Sequence, residues 1–186
     1  KKYFKNISFR ELDTFIKSEF HEYRLFALLT LTYMYEKRDE ELRKEIFEYY
    51  LNNRRYVNNW DLVDTTAPKI VGEYIKNHSE ARNILDELVV NDSLWDQRIA
   101  VLSTFAFLKD GDFDATSKFA KMLLNHEHDL MHKAVGWMLR EVGKRDQVVE
   151  EEFLRKYYKE MPRTMLRYSI EKFDEDKRQK YLKGLV

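Results

Sequence analysis

The sequence contains no cysteine, so it can form neither a disulfide framework nor a thiolate metal site, which fits a reducing, cytoplasmic compartment. Its 5 glycines and 2 prolines leave little material for strands joined by tight turns. No apolar run approaches the roughly 18 to 20 residues of a membrane span, and the first residues do not read as a signal peptide. These absences predict a soluble, mainly helical protein without a membrane partner.

The apolar residues that are present follow a helical pattern along the chain. A hydrophobic content of 44% is ample for a core, and 186 residues fit a single domain over 1–186, which we expect to be monomeric. Val135, Met138, Leu139 and Val142 illustrate the helical spacing. Polar and Pro-containing breaks divide the chain into roughly ten helices, giving an all-α prediction. The predicted helix starts include Asn59 and Ser93 as N-caps and Pro162 as a first helical residue.

A weak internal repeat pairs a residue that is usually basic with an apolar, aromatic or functional residue four positions later. The pairs are Arg24/Leu28, Trp60/Asp64, Arg98/Leu102, Lys133/Trp137 and Arg163/Arg167. Their spacings of 30 to 38 residues lie near the period of two-helix solenoids. The repeat predicts HEAT-like helix pairs in a right-handed α-α superhelix, whose second helices line one concave basic groove. An irregular helical bundle is the alternative.

Charge is balanced overall but not along the chain. The formal net charge is zero, from 33 Lys and Arg against 33 Asp and Glu. Residues 131–186 hold 14 basic against 10 acidic residues, a surplus of four that the preceding residues offset. A basic surplus of this size is weak support for a phosphate-binding surface.

Two segments could carry chemistry. Trp60 and Asp64 share a helix face, where an indole can contact a cation or a sugar and a carboxylate can stabilise positive charge developing on a sugar ring. The alternative is a core tryptophan with a solvated aspartate.

In the second segment, positions 133, 137, 140 and 144 form a Lys, Trp, Arg, Lys stripe along one helix face, and Gly136 indicates close approach of another backbone. The alternative there is a salt-bridged surface with Trp137 over the edge of the core.

Other polar residues extend the basic pattern of the repeat, and none of them forms a known cofactor-binding motif. Trp95 and Arg98 share a face, and Arg163 and Arg167 continue the basic pattern one helix further on, where arginine is suited to bidentate phosphate contact. The histidines include one pair with metal-like spacing, at 128 and 132, which lacks an obvious third ligand, so we expect no metal. A P-loop, a dinucleotide fingerprint and a nucleophile elbow are all missing, and no cofactor is expected.

Three stretches together resemble the AlkD branch of the DNA alkylation repair family, the HEAT-like repeat alkylpurine DNA glycosylases. They are Trp60-Asp61-x-x-Asp64, Trp95-x-x-Arg98 and Lys133-Ala134-x-Gly136-Trp137-x-Leu139-Arg140-Glu141. The resemblance implies Asp64 as the catalytic carboxylate, Trp60 and Trp137 as aromatic walls around the lesion nucleotide, and Arg98 as a phosphate clamp. It also implies that the family's N-terminal helices are absent from this chain.

The implied reaction is hydrolysis of the N-glycosidic bond of cationic N3- or N7-alkylated purines in duplex DNA, as in base-excision repair. The cations expected to bind DNA are Lys133, Arg140, Lys144, Arg163 and Arg167. Two other functions remain open: a DNA-binding relative without chemistry and a helical-repeat adaptor that binds protein. Binding to DNA should depend on salt in the first case, whereas adaptor binding to protein should not.

Overall fold

A computed structural model describes residues 7–186, and within this range the chain is helical and contains no strand. The α-helices are α1 Phe9–Ile16, α2 His21–Lys37, α3 Glu40–Asn52, α4 Trp60–Thr66, α5 Glu73–Asn77, α6 Asn83–Val89, α7 Leu94–Ser103, α8 Asp114–Met122, α9 Asp129–Gly143, α10 Gln147–Tyr157, α11 Arg163–Ser169 and α12 Glu175–Lys183. The all-α prediction is therefore confirmed.

The helices form two layers. In the inner layer α2, α4, α7, α9 and α11 pack on one another in that order, and α1, α3, α6, α8 and α10 pack on them from outside. The five residue pairs of the sequence repeat lie one on each inner helix. Each helix pair therefore contacts mainly its neighbours, as expected for helical repeats.

Local sequence sets where several of these helices begin. The side chain of Asn59 accepts a hydrogen bond from the first backbone N–H of α4, and Ser93 Oγ accepts one from Asp96 in α7, so both predicted N-caps are confirmed. Pro162 differs slightly from its prediction, because it precedes α11 and the helix begins at Arg163.

A wide π-helical turn at Pro68–Gly72 connects α4 to α5 and keeps residues 60–77 in one helical segment. Pro68 has no N–H to donate to the carbonyl of Asp64, four residues earlier, so regular α-helical bonding cannot continue through this position. π-Turns inside helices are often found at functional sites. Here the turn begins four residues after Asp64.

Gly136 allows α9 and α11 to pack closely. A methyl group added at Gly136 would lie 2.4 Å from the carbonyl oxygen of Met165 and 2.6 Å from Tyr168 Cβ. The close backbone approach that the sequence indicated at this glycine is thus confirmed. It fixes α11, and the exposed arginines on it, against the helix that carries Trp137.

Glu150, at the start of α10, is a buried carboxyl in the outer part of the fold. It is 2% exposed, packs against Gly143 of α9, and its Oε1 atom has no hydrogen-bond partner among the described residues. Burial raises the pKa of Glu150 to about 8, with a further contribution from Glu151, against the opposing charges of Arg140 and Lys177. The carboxyl is therefore protonated in the folded protein at neutral pH.

In the parent protein, Glu150 lowers the free energy of unfolding as pH rises, and Glu150→Gln should abolish this pH dependence. The unfolded chain releases the proton near pH 4.5 and the folded chain near pH 8, so the parent loses stability between these values. The variant should gain up to about 4 kcal/mol relative to the parent between pH 5 and pH 9. Urea unfolding at both pH values measures this gain. Glu152→Gln, at an exposed position of the same helix, is the control, and identical pH dependence of parent and both variants would contradict the assignment.

Candidate active site

A cleft of about 310 Å³ opens between the helical segment 60–77, α7 with the turn after it, and α9. Its lining residues are Asp64, Pro68, Lys69, Glu73, Leu102, Phe105, Ala106, Lys109, Trp137 and Met138. The cleft thus brings together Asp64 and Trp137, which are 73 positions apart in the sequence. Most of the other lining side chains are apolar.

Arg98 holds Asp64 in place through a bidentate ion pair. Arg98 Nε and one terminal nitrogen donate to the two carboxylate oxygens of Asp64, each at 2.8 Å. The other terminal nitrogen donates to the carbonyl oxygen of Leu130, in the first turn of α9. Arg98 is 4% exposed and Asp64 is 15% exposed. A paired guanidinium and carboxylate of this geometry have little freedom to move.

This placement of Arg98 differs from the expected phosphate clamp. All three nitrogen atoms of the guanidinium donate to protein oxygens, and the group is buried beneath the cleft surface. The sequence repeat aligned Arg98 with Trp60, one helical turn before Asp64, so it placed Arg98 and Asp64 on neighbouring inner helices but did not pair them. A regular pattern of cations does not reveal which ones face solvent.

Trp60 lies outside the cleft, one helical turn before Asp64 on α4. It is the first residue of the helix, is 53% exposed, and is not among the side chains that line the cleft. The next residue, Asp61, accepts a 2.7 Å bond from His21 of α2, which anchors the start of α4. The structure therefore places Trp60 on an accessible surface one turn before Asp64, rather than in the cleft with Trp137.

Trp137 is held by Glu141, to which the sequence analysis assigned no role. Trp137 Nε1 donates to Glu141 Oε1 at 3.3 Å, and Lys144 Nζ lies 2.5 Å from the same oxygen. Arg145 bonds the second carboxylate oxygen at 3.1 Å. Burial opposes ionisation of Glu141, but the bonds from Lys144 and Arg145 outweigh it and lower the pKa of the carboxyl. Spacing of i, i+3 and i+4 from Glu141 could have indicated this network.

The five cations expected to bind DNA differ in their surroundings. Lys133 pairs with Asp129 at 2.7 Å, Arg140 pairs with Glu171, and Lys144 pairs with Glu141. Arg163 and Arg167 are exposed on α11 and form no ion pair with any residue in the range 7–186. The three ion pairs agree with the alternative given in the sequence analysis, in which the polar face of α9 is a salt-bridged surface.

The histidines near α9 have structural partners. His128 Nδ1 accepts from the backbone N–H of Leu130 and caps α9, and His132 bonds the carbonyl oxygen of His126. No group of three or more His, Asp or Glu side chains in the described part of the chain could hold a metal ion. Among these residues, no helix is both long and apolar enough to cross a membrane.

Comparison with known proteins identifies the family. The family model for DNA alkylation repair enzymes matches residues 1–173. The chain belongs to the DNA alkylation repair enzyme family. A structure described as a predicted DNA alkylation repair enzyme from Enterococcus faecalis is similar, with a TM-score of 0.72 and 18% identity over 94% of this chain and 78% of that one. A search of curated proteins finds no match.

Family membership assigns a role in the repair of alkylated DNA, consistent with the AlkD-type resemblance, and implies that this DNA alkylation repair protein binds DNA. The similarity to the Enterococcus faecalis structure supports the helical-repeat fold. The family match covers all the residues that line the cleft.

Proposed function

We propose that this DNA alkylation repair protein is a monofunctional DNA glycosylase that hydrolyses the N-glycosidic bond of cationic N3- or N7-alkylated purines in duplex DNA. The observation that carries the proposal is the carboxylate of Asp64, held by Arg98 at the wall of a cleft that Trp137 also lines. The partly exposed carboxylate has lone pairs left for substrate or water after accepting two bonds from Arg98.

The proposed reaction needs one carboxylate. An N3- or N7-alkylated purine already carries positive charge, so it leaves as a neutral base without prior protonation, and positive charge develops on the deoxyribose. Asp64 stabilises this oxocarbenium-like transition state and orients the water that adds to C1′. The water loses a proton to solvent as the new C1′–O bond forms. The products are the free base and an abasic site, and no cofactor takes part.

The remaining site residues are assigned to DNA binding. Trp137 and the accessible Trp60 are proposed to contact the damaged nucleotide. Lys133, Arg140 and Lys144 of α9 are proposed to contact the DNA backbone, together with the exposed Arg163 and Arg167 of α11. Three of these cations would exchange a carboxylate partner for phosphate on binding. We propose that the inner layer curves in a right-handed superhelix with these residues on its concave side, in a monomeric cytoplasmic protein.

Base release measured together with salt dependence tests this proposal. Duplex DNA carrying N7-methylguanine should lose the base in a single-turnover assay, whereas the undamaged duplex should not. Binding should weaken linearly on a log-log salt plot, with a slope of about −0.9 for each phosphate contact. Steep salt dependence without base release would instead favour a DNA-binding protein that lacks the chemistry. Binding that is independent of salt would exclude nucleic acid as the partner.

A further inference from the structure

We propose that Lys69 and Lys109 bind the DNA phosphates on either side of the damaged nucleotide, in the role that the family resemblance implied for Arg98. The inference rests on the proposed function, because it assigns backbone contacts at the same cleft. Neither lysine belongs to the sequence repeat or to the three stretches that carry the family resemblance.

The first support is position. Lys69 lies in the π-turn, five residues after Asp64, and Lys109 lies in the short turn Leu108–Asp110 that follows α7. Both side chains are exposed, and both line the cleft that contains Asp64 and Trp137. Lys69 also borders a second cavity, which Phe26, Tyr33 and Glu36 of α2 line, so it stands at the boundary between two depressions of the surface. The two ammonium groups thus belong to different elements of the cleft rim.

The second support is that both ammonium groups are free. Neither Lys69 nor Lys109 forms an ion pair or a side-chain hydrogen bond with any residue between positions 7 and 186. The carboxylate next to Lys109 in the sequence, Asp110, is instead paired with Lys76 at 2.8 Å. Arg98, by contrast, is buried and bonded through all three of its nitrogen atoms. A phosphate can therefore be bound by these lysines without first breaking a contact within the protein.

The third support is the charge balance of the cleft. Asp64 is neutralised by Arg98, which leaves Glu73 as the cleft carboxylate that has no cation bonded to it in the described chain. Within the cleft the two lysines outnumber this single carboxylate, and Glu36 lines only the neighbouring cavity, so the cleft rim attracts anions. A lysine is a compact charge with rotatable donors and suits a phosphate whose position changes as the backbone distorts around a lesion.

The experiment measures binding of duplex DNA by fluorescence anisotropy over a salt series. Lys69→Ala and Lys109→Ala should each flatten the log-log slope by about 0.9 and weaken binding about 3- to 10-fold at low salt. Lys69→Arg should retain the parental slope. Glu73→Gln should change affinity in the opposite direction, because it removes negative charge from the rim.

Lys118→Ala is the matched control. Lys118 is exposed on outer helix α8 and paired with Asp86 at 2.7 Å, and its loss should leave both slope and affinity unchanged. Thermal melting establishes that each variant is folded. If the parent binds with a steep slope and both cleft variants keep it, the assignment of these lysines is wrong while the proposed function stands. A parent protein without salt-dependent DNA binding overturns the proposed function itself.

Discussion

Asp64→Asn is expected to slow single-turnover release of N7-methylguanine by roughly 100-fold or more, because it removes the charge that stabilises the oxocarbenium-like transition state. The amide keeps the shape of the side chain but replaces one of the two oxygens that accept from Arg98 with a donor, so the variant should lose stability and is assayed at a temperature where circular dichroism shows that it is folded. DNA binding should be unchanged or slightly tighter, since a negative charge is removed from a surface that faces phosphates.

Asp61→Asn makes the same chemical change three residues earlier on the same helix. Asp61 bonds His21 of α2 and does not line the cleft, so this control should excise the base at the parental rate. If Asp64→Asn is as fast as the parent while circular dichroism shows that both are folded, Asp64 has a structural role and the proposed mechanism fails.

Arg98→Ala is expected to destabilise the protein by about 3 kcal/mol or more, because it leaves the carboxylate of Asp64 and the carbonyl of Leu130 without their partner in a poorly solvated place. Base release should also fall, since Asp64 is no longer held at the cleft wall. Arg98→Lys should recover part of the stability but little of the rate, because one ammonium group cannot reproduce the two parallel bonds.

A double-mutant cycle separates this role from that of a phosphate clamp. In the Arg98→Ala, Asp64→Ala double variant the loss of stability in urea unfolding should be clearly smaller than the sum of the two single losses. A phosphate clamp would behave differently: Arg98→Ala would leave stability unchanged and flatten the salt dependence of DNA binding. Unchanged stability together with a flatter salt slope would show that Arg98 is a phosphate clamp and not the partner of Asp64.

The positions of helices could be predicted because their signals are local. The caps at Asn59 and Ser93 depend on one side chain and the next few backbone amides, and the structure places them as expected. The repeat spacing likewise placed Asp64 and Arg98 on successive inner helices. The partners of long charged side chains could not be predicted in the same way, because one lysine or arginine can reach several acceptors from the same helix position.

The sequence by itself determined that this protein is all-helical, where several of its helices begin, and which residues resemble those of DNA alkylation repair enzymes. These properties follow from apolar periodicity, capping residues and short motifs, all of which act within a few turns of one helix. Only the tertiary structure decided that Arg98 is buried against Asp64, that Trp137 and not Trp60 lines the cleft, and that Lys69 and Lys109 lie at its rim without an ion pair to any residue in the range 7–186. Those outcomes depend on contacts between helices that are 30 or more residues apart, where burial and the competition among charged partners are set by packing.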